Sequence, residues 1–270
     1  MNCLEISTVA GCSIKCSYCP QDTFTAQYKS SIKKLSLDNF ITIINKLPDN
    51  IKIHFTGFSE PLFNSECHKM IAVTKKKKLY TKISTTLYKA NEENINCLTG
   101  GRRVLDKIIL HLPADDNNMN IIIDKHYISN VFNVSKALLP ADNIVIFGKK
   151  IHPSLENAIA LSRANVNFLR LDYMNWNSRA GNLNYEKKID LKHFEKIKCS
   201  KNRTTQNILL PNGDIYLCCM DWKLEHKMGN LLEDSYTDIV ESDAYKSIHD
   251  ALSNNKSNTL CWRCEYAVPQ

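Results

Sequence analysis

The chain has 270 residues, 43% of them apolar, and a formal net charge of +7. This length predicts one sizeable domain and one small domain. No apolar run is long enough to cross a membrane, and the first residues lack the basic and apolar regions of a secretory signal, so we expect a cytoplasmic protein. The positive charge is dispersed except in the run from Lys75 to Lys78. We interpret that run as a solvated helix end, so nucleic acid is an unlikely partner.

Apolar periodicity predicts strands and helices that alternate through the first two thirds of the chain. The predicted strands cover residues 3–7, 51–55, 80–85, 104–112, 144–147 and 166–171. The predicted helices cover residues 37–47, 64–77, 91–98, 125–139 and 153–163. Because the strands alternate with helices, we expect parallel strands joined by crossover helices. The pattern predicts an α/β fold and fits a partial (β/α)6 TIM-like barrel in residues 1–190, with functional groups at the carboxyl ends of its strands.

The pattern changes in residues 191–270. Asn212-Gly213 lies between two short apolar runs, 207–210 and 215–219, and Asn-Gly is a strong signal for a β-hairpin. A helix is predicted over residues 236–252. This part of the chain therefore reads as a small module of a hairpin and a helix, too small to be held together by its own core.

Three of the eleven cysteines, Cys12, Cys16 and Cys19, form a C-x3-C-x2-C pattern after the first predicted strand. So many cysteines without an export signal indicate metal ligation rather than disulfides. A structural zinc site or a fully ligated iron-sulfur cluster uses four ligands. Three thiolates from one loop would instead leave one iron of a four-iron cluster open. The alternatives are a zinc loop completed by a distant residue, and cysteines that belong to the core.

The cysteine spacing and its place after the first strand resemble the radical S-adenosylmethionine (radical SAM) superfamily. This resemblance implies that Cys12, Cys16 and Cys19 hold a [4Fe-4S] cluster whose open iron binds S-adenosylmethionine (SAM), which is cleaved to a 5′-deoxyadenosyl radical. It also implies the partial barrel. Tyr18 stands where family members usually carry an aromatic residue that packs near the adenine. Gly11 gives the backbone the freedom to wrap around a cluster.

Other residues at the ends of predicted strands resemble the SAM-binding positions of the family. Gly57, Ser59 and Glu60 follow the second strand, where the family often carries a Gly-Gly-Glu run that holds the methionine ammonium, although the match is partial. Thr85 at the end of the third strand and His111 near the end of the fourth should face the barrel mouth. The alternatives are an ordinary strand-to-helix turn for the first group and a core histidine for His111.

A second set of cysteines lies near the end of the chain. The Gly-x4-Cys run that ends at Cys218 resembles the start of the SPASM auxiliary-cluster module of radical SAM enzymes, in its shortened, twitch form. The resemblance implies an auxiliary [4Fe-4S] cluster held by Cys199, Cys218, Cys261 and Cys264. A zinc site with four thiolate ligands is the competing interpretation. Cys219 should point away from Cys218, because neighbours on a strand face opposite sides.

The layout resembles the twitch-type dehydrogenase that oxidises an aminocyclitol alcohol to a ketone. We therefore expect a radical SAM oxidoreductase that acts on a small sugar- or cyclitol-like alcohol, with the auxiliary cluster as electron acceptor and a flavodoxin- or ferredoxin-like reductant. Arg179 lies in a run, residues 178–181, that resembles related SPASM-type enzymes. It can bind a substrate carboxylate or hydroxyl, or equally be a surface arginine that bridges the two domains.

Three other functions stay open at this point. An epimerase needs a thiol that donates a hydrogen atom, and Cys67, Cys97 or Cys219 can serve. A peptide-modifying maturase is the second alternative. An iron-sulfur electron-transfer protein is the third, although electron carriers normally ligate every iron. The general base is open as well, with Asp115, Asp116 and Asp172 as candidates that the sequence does not rank.

Overall fold

In the computed structural model of the protein, the described residues are 2–100, 104–171, 178–184, 191, 194–253 and 258–270. The first six strands pair in parallel and in chain order, from β1 to β6. These strands are Cys3–Ile6, Lys52–Phe55, Thr81–Thr85, Lys107–Leu112, Asn143–Phe147 and Asn167–Leu171. This sheet and its crossover helices confirm the predicted α/β fold with a partial barrel.

Helices α1 to α6 lie along the same part of the chain. They are Gln21–Gln27, Leu37–Lys46, Cys67–Lys76, Glu92–Thr99, Lys125–Ala137 and Pro153–Ser162. The side chains of Ser36, Asn91 and Asp124 cap three of them by accepting a backbone N–H from the first turn. The sequence analysis did not predict α1, because a helix of two turns is too short to show a clear apolar period. No helix in the described ranges has the length and hydrophobicity of a membrane span.

The C-terminal hairpin extends the barrel sheet. Strand β8 (Gln206–Leu209) pairs in parallel with β1, and β9 (Asp214–Tyr216) pairs antiparallel with both β8 and β10 (Lys227–Asn230). The nine strands follow the order β10-β9-β8-β1-β2-β3-β4-β5-β6. The predicted hairpin is therefore present, but it is hydrogen-bonded to the first strand of the barrel. A domain boundary at residue 190 stays a prediction.

A second, small sheet lies beside the hairpin. It consists of β7 (Ile197–Cys199) and β11 (Ala267–Pro269), which pair antiparallel. Cys199 ends the first of these strands. This sheet brings the end of the chain next to the start of the C-terminal region.

The prediction of one helix over residues 236–252 was wrong. The structure has two helices, α7 (Tyr236–Glu241) and α8 (Asp243–Ala251), separated by an extended Ser242 with φ −62° and ψ 152°. The Ser242 hydroxyl donates to the carbonyl of Ile239 at 2.8 Å and accepts from the N–H of Tyr245 at 3.1 Å. Ser242 thus ends one helix and caps the next, while the apolar pattern continues across the break.

An aromatic cluster joins the barrel to the hairpin region. Phe24 of α1, Phe58 after β2 and Trp222 after β9 are all buried. The ring centroids of Phe58 and Trp222 are 4.4 Å apart, and those of Phe24 and Phe58 are 5.1 Å apart. Buried aromatic pairs of this kind each contribute about 0.5–1.5 kcal/mol beyond their burial. The cluster therefore fixes the turn after β2 against the C-terminal region.

Replacement of Gly213 by Ala should destabilise the hairpin. Gly213 has a φ of +88°, and a Cβ there would lie 2.4 Å from Asn230 Oδ1 and 2.7 Å from Leu232 Cγ. We expect the free energy of unfolding to fall by about 3 kcal/mol in urea denaturation followed by circular dichroism, from the left-handed backbone and the overlap together.

Gly181→Ala is the matched control for this prediction. Gly181 also has a left-handed φ, +80°, but a Cβ there meets no atom of the described residues within 4 Å. Gly181→Ala should lower the free energy of unfolding by only about 1–2 kcal/mol, the cost of the left-handed backbone alone. Equal losses for the two variants would contradict a steric role for the packing around Gly213.

Candidate active site

A cavity of about 340 Å³ lies at the carboxyl ends of the barrel strands and continues into the barrel. It is lined by every residue that the sequence analysis placed on the SAM side, together with the predicted arginine. These residues are Cys12, Cys16, Cys19, Tyr18, Gly57, Ser59, Glu60, Thr85, His111 and Arg179. The structure therefore brings together, in one cavity, side chains from the ends of four strands and from a turn before the C-terminal region. Their roles stay predictions.

The three-cysteine loop wraps one side of this cavity. Gly11 has a φ of +92°, and the Cys19 N–H donates to the Cys16 carbonyl at 2.9 Å. Burial raises the pKa of all three thiols, that of Cys12 to about 11. In the described part of the chain, no group of three or more His, Cys, Asp or Glu side chains is placed so that it could hold a single metal ion. Three thiols on one cavity instead suit a cluster that leaves one iron for another ligand.

The turn after β2 needs its glycine. Gly57 has a φ of +89°, and a Cβ there would lie 2.3 Å from Ser7 Oγ. That same oxygen accepts the N–H of Phe58 at 2.9 Å. The neighbouring Ser59 hydroxyl is buried, lines the cavity and has no hydrogen-bond partner among the described residues. An unsatisfied hydroxyl in this position is suited to a polar ligand.

Protein donors fully engage the carboxylate of Glu60. Its Oε1 accepts from Thr85 Oγ1 at 2.5 Å and from the Leu62 N–H at 3.1 Å. Its Oε2 accepts from the N–H and the hydroxyl of Thr86, both at 2.7 Å. Burial raises the pKa of Glu60, and these hydrogen bonds oppose the rise. Because a carboxylate offers about four acceptor positions, a further donor has to share one. Glu60 thus locks the turn after β2 to the end of β3.

Aromatic rings form another wall of the cavity. The ring centroid of Tyr18 is 4.6 Å from that of Phe147, and the His111 ring is 5.3 Å from Phe147. Burial, with a smaller contribution from the charge of Arg179, lowers the pKa of His111 to about 4. His111 is therefore neutral near pH 7, and this wall suits a flat, apolar ring.

Arg179 lines the cavity from a turn that the C-terminal region holds in place. The N–H groups of Ser178 and Ala180 donate to the carboxylate of Glu265, the second at 3.2 Å. Arg263 Nε donates to the Ala180 carbonyl at 3.2 Å. Glu265 and Arg263 flank a cysteine of the second set. Arg179 therefore belongs both to the cavity and to the contact between the barrel and the C-terminal region.

A second, smaller cavity is lined by the four thiols proposed for the auxiliary site. Its other walls are mostly apolar and include Met220, Leu252 and Leu260. Burial raises the pKa of Cys261 to about 11 and that of Cys264 to about 12. The four thiols are Cys199, Cys218, Cys261 and Cys264. Four thiols are the number that a filled cluster or a zinc ion needs, but the described residues hold no group arranged to bind a single ion, so the cavity suits a cluster better.

Cys219 lines the first cavity, whereas Cys218 lines the second. Strand β9 ends at Tyr216, so these cysteines lie in the turn beyond it, but they still face different sides. Arg203 lines both cavities. The side-chain Nη1 of Arg203 donates to Cys219 Sγ at 2.6 Å, and its backbone N–H donates to Cys199 Sγ at 3.4 Å.

Several residues that line the first cavity were not predicted from the sequence, among them Glu5, His54 and Arg203. Glu5 and His54 are polar residues at buried positions of parallel strands, and this was a signal that we did not use. Of the thiols considered as hydrogen donors, Cys67 and Cys97 are not among the residues lining this cavity in the described chain. The same holds for Asp115 and Asp116 among the possible bases, and Asp172 lies outside the described residues.

Residues 199–265 match the family model of SPASM, an iron-sulfur cluster-binding domain. The chain carries a SPASM domain. The match begins at Cys199 and ends one residue after Cys264, so it contains all four thiols of the second cavity. This favours iron over zinc at that site. No curated protein sequence matches the chain.

Several solved structures share the fold of the whole chain. BtrN in complex with AdoMet and 2-DOIA is 16% identical, with a TM-score of 0.65 over 98% of this chain and 93% of BtrN. SuiB from Streptococcus suis, bound to precursor peptide SuiA, is 15% identical, with a TM-score of 0.64 over 97% of this chain and 69% of SuiB. anSMEcpe with bound AdoMet is 13% identical, with a TM-score of 0.61 over 98% and 87% of the two chains. With the SPASM domain, this fold confirms the resemblance to radical SAM enzymes.

Replacement of Cys218 and of Cys219 by Ala should separate the two sites. After anaerobic reconstitution, the wild-type protein should hold about eight irons, the content of two [4Fe-4S] clusters. Cys218→Ala should lose about four of them, because the second cavity would keep only three thiols. Cys219→Ala should keep all of them. Iron and sulfide analysis, with zinc measured in parallel, checks this. Equal loss in both variants, or stoichiometric zinc in the wild type, would contradict the assignment.

Proposed function

We propose that the protein is a radical SAM enzyme that abstracts a hydrogen atom from a small polar substrate and dehydrogenates a sugar- or cyclitol-like alcohol. One observation carries this proposal: the three-thiol loop and the SPASM domain both contribute to the wall of one cavity. Cys12, Cys16 and Cys19 line it from one side, and Arg203 and Cys219 from the other. A substrate in this cavity would lie between the two thiol sets.

The residues of the barrel are arranged to hold the cofactors. Cys12, Cys16 and Cys19 would ligate a [4Fe-4S] cluster and leave one iron for SAM. The unsatisfied Ser59 hydroxyl and the turn at Gly57 would contact the methionine part, while Tyr18 would pack near the adenine. When bound, the clusters and SAM would supply the radical that removes the carbon-bound hydrogen atom and an acceptor for one electron, and the hydroxyl proton would pass to a base in the cavity. The protein positions the reactants and excludes water.

The SPASM domain would hold the auxiliary cluster on Cys199, Cys218, Cys261 and Cys264. Four thiolate ligands leave no open iron, so this site suits electron transfer rather than substrate binding. Arg179 would contact the substrate, and the Glu265 clamp holds its turn in place. A flavodoxin- or ferredoxin-like protein would supply the reducing electrons.

BtrN supports a small substrate, whereas two other matching structures were crystallised with peptides. The chain covers 93% of BtrN in complex with AdoMet and 2-DOIA, 86% of anSMEcpe with AdoMet and the Cp18Cys peptide, and 69% of SuiB with a precursor peptide. The shared fold is compatible with both kinds of substrate. The volume of about 340 Å³ and the polar side chains of Glu5, His54 and Lys82 in its wall favour a small polar molecule.

The position of Cys219 favours epimerisation as a second candidate function. Cys219 is the one thiol of the three considered that lines the cavity with the three-cysteine loop. A thiol in that place can return a hydrogen atom to a substrate radical. The product would then be inverted at one carbon rather than oxidised.

The fate of a substrate deuterium distinguishes these functions. A polyol deuterated at its carbinol carbon should transfer deuterium to 5′-deoxyadenosine, with one SAM consumed per ketone formed. The variant with Cys12, Cys16 and Cys19 all replaced by Ala should form no 5′-deoxyadenosine under dithionite. Mass spectrometry of both products provides the readout. Undiminished 5′-deoxyadenosine from the triple variant would refute the assignment of the loop.

The same assay in deuterium oxide tests the alternative. With unlabelled substrate, a dehydrogenase places no solvent deuterium on the product carbon. Solvent deuterium at an inverted carbon, lost in Cys219→Ala, would overturn dehydrogenation in favour of epimerisation.

A further inference from the structure

The interior of the barrel is polar where strands β1 to β3 meet. Glu5 of β1 is paired in register with His54 of β2, and both line the cavity. Lys82 and Ser84 of β3 line it beside them. The interior of a closed (β/α)8 barrel is normally filled by branched apolar side chains. A polar interior that opens on a cavity is instead suited to a polar ligand.

The carboxylate of Glu5 is buried without a close donor. Its side chain is 7% exposed, and the basic side-chain nitrogen atoms closest to it among the described residues are His54 Nδ1 at 3.9 Å and Arg203 Nη1 at 4.0 Å. Both distances are too long for hydrogen bonds. Burial holds the pKa of His54 well below its usual range, so the ring is neutral. His54 Nε2 lies 2.8 Å from Ser84 Oγ, whereas its Nδ1 is buried without a hydrogen-bond partner among the described residues. Unsatisfied groups of this kind cost stability unless a ligand or water pairs with them.

Arg203 faces this carboxylate with donors to spare. Its guanidinium lies 5.1 Å from the ring centroid of Tyr266, and its Nη1 donates to Cys219 Sγ. Its Nε is buried, and no described residue hydrogen-bonds to it. The stacking and the sulfur contact fix the orientation of the guanidinium. Arg203 can therefore donate to a ligand oxygen beside the acceptor that Glu5 offers.

The surrounding charges favour a neutral donor over an ammonium. Burial raises the pKa of Glu5, and the positive charges of Arg203, Lys82 and Arg179 oppose that rise. Three cations already act on one carboxylate, so a fourth positive charge would be repelled. A hydroxyl can donate to Glu5 without adding charge, and its oxygen can accept from His54 or Arg203.

We propose that Glu5, His54 and Arg203 form a recognition site for neighbouring hydroxyls of a neutral polyol ring, a cyclitol or a sugar. The inference rests on the proposed function. It specifies that the ring of the sugar- or cyclitol-like substrate is neutral and names the residues that bind its hydroxyls. The Glu5 carboxylate accepts a hydrogen bond from one hydroxyl, and Arg203 and His54 donate hydrogen bonds to hydroxyl oxygens. This arrangement fixes the ring inside the barrel.

Binding of small probes to the full-length, reconstituted protein with SAM tests this site. Anaerobic calorimetry would compare neutral polyols (scyllo-inositol, myo-inositol and methyl glucoside) with the cationic 2-deoxystreptamine and with cyclohexanol. At least one neutral polyol should bind, and cyclohexanol should not. Glu5→Gln should weaken that binding by about tenfold or more, because a hydrogen bond to a charged acceptor is lost. Glu66→Gln, the same change at the residue that precedes α3 and lies outside the cavity, should leave it unchanged.

A second variant keeps the test decisive if Glu5→Gln fails to fold in thermal melting. Arg203→Lys keeps the charge but loses the planar guanidinium. This variant should also lower the affinity for the polyol by about tenfold. Unchanged affinity in the folded variants, binding of 2-deoxystreptamine alone, or no binding by any neutral polyol would overturn the inference.

The proposed function has a separate readout in the same samples. Substrate-free cleavage of SAM under dithionite should be equal in the wild type and Glu66→Gln, because Glu66 does not line the cavity. A wild type that forms no 5′-deoxyadenosine would refute the proposed function, whereas polyol affinity would still decide the inference.

Discussion

Strand β1 is hydrogen-bonded on both sides, and the candidate site depends on this double pairing. It pairs with β2 of the barrel and with β8 of the C-terminal region, and its four residues are all buried. The three-cysteine loop follows β1 directly, and Arg203 lies just before β8. The parallel ladder between β1 and β8 therefore brings residues that are far apart in sequence to the same cavity. Glu5 and Arg203, for example, approach to 4.0 Å.

The same pairing explains why the two thiol sets stay distinct. The turn after β9 places Cys218 in one cavity and Cys219 in the other, and Arg203 lies between the cavities with contacts to thiols on both sides. The Glu265 carboxylate links the SPASM domain to the turn that carries Arg179. The SPASM domain thus shapes the candidate substrate side of the cavity through Arg203 and Cys219, and through the contact of Glu265 with the turn that carries Arg179.

Local patterns in the sequence were enough to predict the barrel and most of the cavity. The strand-helix alternation sets the parallel sheet, and the cysteine spacing identifies the loop. The ends of β2, β3 and β4 then place Glu60, Thr85 and His111 at the same opening. These predictions succeed because each depends on a short stretch of chain and on the common direction of parallel strands.

The predictions that failed or were missed depend on contacts between distant segments or on single side chains. The pairing of β8 with β1 has no local signal, so the role of Arg203 beside Glu5 was not foreseen. The break between α7 and α8 depends on one hydroxyl of Ser242, which the apolar period does not detect. Glu60 looked free to hold an ammonium, but four donors already occupy its oxygens, and this was visible only in the fold.

The central claim is that two cluster sites exist and that only the N-terminal one faces bound SAM. Electron paramagnetic resonance of the dithionite-reduced, reconstituted protein tests this most directly, with spectra recorded before and after SAM is added. The account predicts signals from two clusters, of which SAM alters only the one that disappears when Cys12, Cys16 and Cys19 are replaced. A spectrum that SAM leaves unchanged, or a change in the signal that survives in that variant, would contradict the account.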